Sequence, residues 1–535
     1  MTQPLRTQPL ASLGSPWLSR RQFVHGLSTG LGASLATGVA LAQSRQEAQS
    51  RQEAHSDQPA GSAKTSPSKV LIVQPSGGLD LNTRTKIVLE LSGKLRLHAA
   101  ESKADSDGND AQQAVEVKGK STLDYFERIA LTGKAGAEVS FAAAAARRYN
   151  EAQAENWISG KSSNSKLRPA CAETRLLPHN GLWHQYCETQ PLNSREVQLL
   201  HSPVDSSALE LLLPLEPARA DSSWSISSDD AQRLFNLDAV HNSSLMAKIS
   251  KVEQGVATVL LTGELDATAN SVPTRLNIDG NFQVKLARQC ALVTWLGVVI
   301  KEVRQVSQAE PGFDITARVR LLREETDAKL DITADALREL ATTEDAGRWL
   351  VHLKSTAGRY SMLADRRWHI HRDSPEESIL RMVENNTVIA QCSVSRLAAL
   401  EPGQQLTMEG LQADIKALLG KGFGEFLESA EKVTSTQLRL MRIVVMGELE
   451  EVPIQWIYTH LSDDSGRRLA LVFTMGGTVT DRFGAADDQL ADSFQWLPDL
   501  PPTDKPSEGQ PFEGKPPEAP QQTARSQPGA AAAKR

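Results

Sequence analysis

Two features are missing from this sequence. The chain carries a formal net charge of −7 and no visible cluster of Lys and Arg, the feature that a nucleic-acid-binding protein needs. Beyond residue 42, no apolar run approaches the roughly 20 residues of a membrane-spanning helix. We therefore expect no nucleic-acid partner, and no stable transmembrane segment once the N-terminal signal described below is removed.

The length and composition of the chain predict several domains. At 535 residues the chain is too long for one core, and two or three domains are expected. Both ends are poor in core-forming residues, so the folded part is expected between them. The predicted organisation is an export signal (1–42), a disordered linker (43–68), a β-rich region (69–325, with a further boundary near 218), a charged linker (326–347), an α+β domain (348–497) and a disordered proline-rich tail (498–535).

The N-terminal residues have the layout of an export signal. A basic group precedes a weakly apolar run, Gly26–Leu41, and a cleavage site with small residues follows. The residues that carry this prediction are Ser19, Arg20, Arg21 and Phe23 for the export motif, and Ala40 and Ala42 for cleavage. The paired arginines resemble the twin-arginine signal family, which implies transport of an already folded protein to the periplasm or beyond. The alternative is an uncleaved membrane anchor.

Between residues 69 and 325 the apolar residues mostly alternate with polar ones. Segments such as Ile87–Leu91, Thr122–Ala130 and Ala257–Leu265 predict short antiparallel strands joined by polar turns. One amphipathic segment, Ser228–Val240, predicts a helix capped by Ser228. We expect a curved sheet or half-barrel with this helix over its open face. Trp295 and Leu296, in another apolar run, are expected in the core, or alternatively on a ligand-binding face.

The C-terminal region has the clearest pattern. Leu438–Gly477 contains three apolar runs separated by two polar turns, which predicts an antiparallel meander. A hairpin is predicted around Asn385–Asn386, a helix after the capping residue Thr407, and a last helix over Ala485–Phe494 with Leu490 facing inward. This order, with the phrase Ile389–Cys392 before the first helix, resembles the PsbP-like fold. The resemblance covers about 130 residues and implies a non-catalytic accessory role and no catalytic residues. The predicted fold class is therefore β-rich α+β throughout.

Three groups of residues were tested for metal chemistry. Asp105–Asp110 imitates a calcium loop, but Asp110 stands where an EF-hand requires glycine, so a polar hairpin tip is favoured. The pairs His179 with His184, and His369 with His371, each lack a third ligand in the sequence nearby. Surface or edge-strand histidines are the preferred interpretation. No catalytic, metal-binding or cofactor-binding residues are predicted.

The cysteines Cys171 and Cys187 lie at equal distances from His179. A hairpin with an odd loop centred on His179 would place them opposite each other, within reach of a disulfide. A two-residue turn at Asn180–Gly181 would instead pair Cys171 with Gln190 and prevent the bridge. Both alternatives stay open, with free buried thiols as the third.

The sequence favours a non-catalytic exported protein that binds a partner protein or an apolar ligand in the cell envelope. The grounds are two sheet-rich domains, a signal and no converging catalytic set. One alternative is an exported hydrolase whose site is assembled from residues distant in sequence. The other is a structural envelope protein.

Overall fold

A computed structural model describes residues 80–97, 113–130, 144–270, 272–286, 291–306, 312–328, 330–384, 387–401 and 403–498. The predicted signal, its linker and all but the first residue of the predicted tail lie outside these ranges, as do the Asp105–Asp110 segment and the Asn385–Asn386 turn. Of the described residues, 59% are in strands and 17% in helices, and the large sheets are antiparallel and not closed into a barrel. The predicted β-rich α+β fold class is confirmed.

The first sheet has 13 strands. They are β1 (Asp80–Leu97), β2 (Gln113–Ala130), β3 (Ala144–Ile158), β4 (Lys161–Lys166), β5 (Glu173–His179), β6 (Leu182–Tyr186), β7 (Ser223–Ser225), β8 (Ala239–Ser243), β9 (Met246–Glu253), β10 (Val256–Ala269), β11 (Val272–Leu286), β12 (Ala291–Arg304) and β13 (Gly312–Glu325). The main path runs β6-β5-β3-β2-β1-β13-β12-β11-β10-β9-β7. Because β1 pairs with both β2 and β13, strands from both sides of residue 218 belong to one sheet.

The two faces of this sheet differ over much of its area. On β1, Thr83, Thr85 and Ile87 are buried, whereas Arg84 and Lys86 between them are exposed. Side chains alternate across a strand, so here one face packs on a core and the other meets solvent, whereas around Ala130 and Ala146 both faces are buried. We term the side that carries Ile87 the inner face and the opposite side the outer face.

A segment between β6 and β8 covers the inner face. It contains helix α1 (Ser194–Leu200), the 3-10 helix Ser206–Leu212 and helix α2 (Ser228–Leu234). Leu209 and Leu234 are fully buried in the same core cluster as Ile87. Helix α2 is shorter than the predicted Ser228–Val240, and its cap is Ser227, whose side chain accepts from the Asp230 amide. We term residues 194–234 the covering segment.

The predicted linker 326–347 contains an ordered helix, α3 (Ala334–Thr342), capped by Thr333. Leu337 on this helix is fully buried and packs with Ala146, Leu177 and Tyr186 of the first sheet. The charged composition of this stretch suggested a linker because only a narrow apolar stripe touches the sheet.

A second group of strands follows. A three-stranded sheet contains β14 (Val351–Ser355), β15 (Tyr360–Ala364) and β23 (Gln495–Trp496). A seven-stranded sheet has the order β16-β17-β18-β22-β21-β20-β19, built from β16 (Trp368–Asp373), β17 (Glu377–Glu384), β18 (Thr387–Leu397), β19 (Phe423–Val433), β20 (Arg439–Leu449), β21 (Val452–Ser462) and β22 (Arg468–Gly476). Strands β20 to β22 form the predicted meander. Strand β19 was missed, because its side chains are almost all exposed and give no alternating pattern.

Helices cover both faces of the seven-stranded sheet. Helix α4 (Met408–Leu419), capped by Thr407 as predicted, packs Leu411 in one cluster with Trp456. The predicted Ala485–Phe494 helix is α6 (Ala486–Asp492). A short helix that was not predicted, α5 (Thr480–Phe483), precedes it, and the chain turns between them at Gly484 with φ 57°. Leu490 is fully buried, as expected. No helix among the described residues combines the length and apolar character needed to cross a bilayer.

Candidate binding surface on the large sheet

A cluster of charged side chains lies buried between the covering segment and the inner face. Arg147 on β3 donates to Glu127 on β2 at 2.7 Å and to Asp205 at 2.6 Å. Arg233 of α2 donates to the other oxygen of Asp205 at 2.5 Å. Ser206 donates to Glu127 at 2.7 Å, so two guanidinium groups and two carboxylates compensate one another. Buried charges paired in this way hold two layers in one arrangement.

A second ion pair fastens the same segment further along. Arg323 on β13 is fully buried and pairs with Glu210 of the 3-10 helix. It also donates to the Ser206 carbonyl at 3.0 Å and to the Val293 carbonyl of β12 at 2.9 Å. One guanidinium group therefore connects the covering segment with two neighbouring strands.

The electrostatics of the cluster fit a structural role. Burial disfavours the Asp205 carboxylate, but the Arg233 and Arg147 guanidinium groups outweigh burial and hold its pKa below the usual range. Burial raises the pKa of Tyr125, which shares a 2.8 Å hydrogen bond with Ser206. Ser206 has no exposed surface, and a nucleophile must be reached by its substrate. The cluster fastens the covering segment and offers no reactive group to solvent.

The inner face becomes more exposed to solvent with distance from this cluster. Ile87 and Leu123 are 2% and 3% exposed, whereas Leu89, Leu91 and Leu95, further along β1 on the same face, are only partly buried. Five other apolar residues on this part of the inner face are likewise partly or largely exposed, namely Val115, Ala154, Ile158, Phe313 and Ile315, whereas Val117 and Ala317 beside them are buried. We term this set, with Leu89, Leu91 and Leu95, the open end of the inner face.

Small residues give the open end depth. Leu91 pairs with Gly119 on β2 and with Ala317 on β13. A Cβ added at Gly119 would meet only the Asn156 side-chain oxygen at 2.8 Å and the Leu91 Cβ at 3.7 Å. Leu91 therefore stands between two small residues, and the Asn156 amide lies over Gly119 on the far side. The open end is a shallow trough that is mainly apolar.

The structure brings Cys171 and Cys187 together by an unexpected route. Strands β5 and β6 join through a two-residue turn, with Asn180 at φ 51° and Gly181 at φ 79°. Continued along the strands, that turn would pair Cys171 with Gln190, but β5 begins at Glu173 and Cys171 lies outside the hairpin. The chain before β5 bends through the 3-10 helix Pro169–Cys171 and returns Cys171 to Cys187.

Both thiols are buried and free, so the disulfide stays a prediction. Cys187 donates to the Ala170 carbonyl at 3.5 Å. Burial, with the neighbouring Cys187 thiol and the Glu196 carboxylate, raises the pKa of Cys171 to about 12. A thiol with this pKa is a weak nucleophile at neutral pH.

The paired histidines do not gather metal ligands. His179 stacks on Trp349 with ring centroids 4.5 Å apart, and burial, with the nearby Arg366, lowers the pKa of His184 to about 3. His369 and His371 lie exposed on the edge strand β16. No group of three or more His, Cys, Asp or Glu side chains positioned for a metal ion occurs among the described residues.

One predicted core residue lies elsewhere. Leu296 and Val298 belong to the core, as expected, but Trp295 lies on the outer face, opposite Gln283 and Leu322. The reason is a bulge in β12, which the sequence pattern did not reveal. The sequence analysis also missed the Arg147–Asp205 cluster and the open end. For the open end a signal existed, because a glycine such as Gly119 inside a strand often marks a close approach.

The chain has only weak similarity to known proteins. No protein-family model matches the chain. No curated protein matches it. Among solved structures, the chain is similar to lipovitellin over 49% of its own length and 26% of that chain, with 9% identity and a TM-score of 0.25. It thus spans about a quarter of the length of lipovitellin.

Two further solved structures are similar over more of the chain but with lower scores. A mutant of the Rh. blastica porin is 9% identical, covering 74% of this chain and 99% of that one, with a TM-score of 0.09. The P pilus usher (PapC) translocation pore is 9% identical, covering 74% and 100%, with a TM-score of 0.11. Similarity at these scores carries no argument about fold or function.

Proposed function

We propose that this protein is a non-catalytic binding protein of the cell envelope and that the open end of the inner face takes an apolar ligand. The observation that supports the proposal is the burial along β1 and β2. The same face passes from fully buried at Ile87 to partly exposed at Leu91, which lies between the small residues Gly119 and Ala317 of the neighbouring strands. Apolar surface left against water is unfavourable, and a bound apolar group would remove it from water.

The side chains of the open end favour a chain-like ligand such as an acyl group. Leucine, valine, isoleucine and phenylalanine supply apolar contact at six positions of β1, β2 and β13, and Lys94 and Lys118 stand on the outer face. An ion pair of β12, Arg304 with Glu302, borders the open end at one edge, where Arg304 stacks on the Phe313 ring. A long apolar chain gains about 0.8 kcal/mol for each buried methylene, so a shallow trough can bind it without directed hydrogen bonds. The PsbP-like resemblance supports an accessory role for the C-terminal region. The signal motif supports export of the protein. Both are part of the proposal.

Titration with a fluorescent fatty acid, cis-parinaric acid, tests the proposal. The full chain is expected to bind it saturably. Leu91→Asp places a charge in the trough and should weaken binding about tenfold or more, because burying an unpaired carboxylate is costly. Gly119→Leu should also weaken binding, because its side chain would push the Asn156 amide aside and fill the trough next to Leu91.

Leu260→Asp is the matched control. Leu260 is 42% exposed on the outer face of the same sheet, so this variant should bind as the parent does. Equal binding by the Leu91→Asp variant, or no saturable binding by the parent, would overturn the apolar-ligand proposal. Co-purification of a protein that Leu91→Asp releases would instead assign the same surface to a protein partner.

A further inference from the structure

The outer face carries a second feature, at the bulge in β12. Val293 and Leu296 are both buried on the inner face, although two residues separate them instead of one. The register with β11 shifts at this point, where Gln283 pairs with Trp295 and Val284 pairs with Val293. Thr294 and Trp295 therefore both stand on the outer face, next to each other. Bulges re-aim side chains in this way and are common beside binding sites.

The bulge is fixed from inside the protein. The fully buried Arg323 donates from Nε to the Val293 carbonyl at 2.9 Å and is itself paired with Glu210. The covering segment therefore holds the backbone that presents Trp295. A binding residue supported by a buried ion pair is positioned before its ligand arrives.

Trp295 lies along its own strand, over Gly297. A Cβ added at Gly297 would stand 2.4 Å from the ring atom Cη2, so any larger residue there would lift the indole from the sheet. The ring is partly exposed, and Leu322 across the strand is 47% exposed beside it. The result is an aromatic surface that faces solvent on a sheet whose outer face is otherwise mostly polar.

Polar groups of several kinds border this ring. They line a groove of about 380 Å³ that includes Gln283, Thr294, Lys285 and Glu325. Lys285 and Glu325 form an ion pair at 3.8 Å, so the groove has both signs of charge. A purely apolar ligand would displace water from these polar groups without offering them hydrogen bonds, and a strongly charged one would meet a like charge. A neutral ligand with many hydroxyl groups suits both the ring and its border.

We propose that this groove binds a saccharide, with the C–H face of a sugar ring on Trp295 and its hydroxyls hydrogen-bonded to Gln283, Lys285 and Glu325. Aromatic residues supply apolar contact area and lose little side-chain entropy when a ligand binds. A few convergent polar groups fix the orientation of the ligand. The site is separate from the trough on the inner face and does not depend on it. A glycan and an apolar ligand could be held at the same time on opposite faces of one sheet.

Isothermal titration of the full chain with soluble cello-, chito- and malto-oligosaccharides tests this assignment. At least one series is expected to bind, and Trp295→Ala should weaken that binding about tenfold or more, as loss of an aromatic anchor commonly does. Gly297→Val keeps the tryptophan but displaces its ring, so it should weaken binding as well. Trp295→Phe should retain part of the affinity.

Trp157→Ala is the matched control, because Trp157 is another partly exposed tryptophan on the outer face of the same sheet. It should leave saccharide binding unchanged, as should Leu91→Asp, which separates this test from that of the proposed function. Absence of binding by all three series would overturn the proposal. So would binding that Trp295→Ala and Gly297→Val leave unaltered.

Discussion

The two ends of the inner face are built by the same strands, yet only one is covered. At one end Glu127, Arg147 and Arg323 reach across to the covering segment and close a core. At the other end Leu91 and Leu95 keep the same alternation but remain partly exposed. Alternation along a strand thus decides which face is apolar, whereas burial depends on what packs against that face.

The largest expected effect comes from breaking the attachment at the covered end. Arg323→Ala leaves Glu210 buried without its partner and should lower the free energy of unfolding by about 3–5 kcal/mol. Chemical denaturation measures this. The double variant Arg323→Met with Glu210→Leu removes both charges and should recover much of the loss. A single variant as stable as the parent would mean that the pair does not hold the segment.

A pair of leucine truncations compares the two ends directly. Leu209→Ala in the covering segment removes a fully buried side chain and should cost about 2–5 kcal/mol in the free energy of unfolding. Leu91→Ala at the open end should cost about 1 kcal/mol or less, because its side chain is already partly hydrated. Equal losses would show that the open end is as well covered as the rest.

Acid should loosen the covered end selectively. The pKa of Asp205 is lowered in the folded state, so the carboxylate stabilises the fold above the ordinary carboxyl pKa and this contribution disappears as the pH falls below it. The stability difference between the parent and Asp205→Asn should therefore shrink below about pH 4, by at most about 1.4 kcal/mol per pH unit. Denaturation midpoints at several pH values measure it. A difference that does not vary with pH would contradict the ionised pairing.

The smallest effect is expected on the outer face. Arg84 donates to Asp124 at 2.8 Å, but its side chain is 52% exposed. Arg84→Ala should change the free energy of unfolding by less than about 1 kcal/mol, because water and salt screen such a pair. Thermal unfolding of this variant serves as the reference for Arg323→Ala. A loss of comparable size in both variants would remove the distinction between the faces.

Local patterns could be predicted from the sequence, and long-range arrangements could not. The meander over Leu438–Gly477 follows from apolar runs and turn residues, and the Thr407 cap from one side chain. The pairing of β1 with β13 joins residues more than two hundred positions apart, and no local pattern encodes it. The same holds for the Arg147–Asp205 contact, which depends on where the covering segment crosses the sheet.

Segments in which apolar and polar residues do not alternate clearly were the other source of error in the secondary-structure prediction. Strand β19 is exposed on both sides, and α3 touches the sheet through a narrow stripe around Leu337, so neither shows a strong period. Trp295 was expected in the core because a single inserted residue in β12 reverses the face of its side chain. A bulge of this kind moves a side chain to the other face of a sheet and leaves no trace in the residue composition.

Photocrosslinking tests the account of the inner face most directly. A fatty acid carrying a photoreactive diazirine is irradiated with the full chain, and the labelled peptides are mapped by mass spectrometry. Labels are predicted on Leu89–Leu95 and Val115–Ser121, with none on the covered stretch around Leu123–Glu127. Labelling confined to the outer face, or spread evenly over both ends of these strands, would contradict the account.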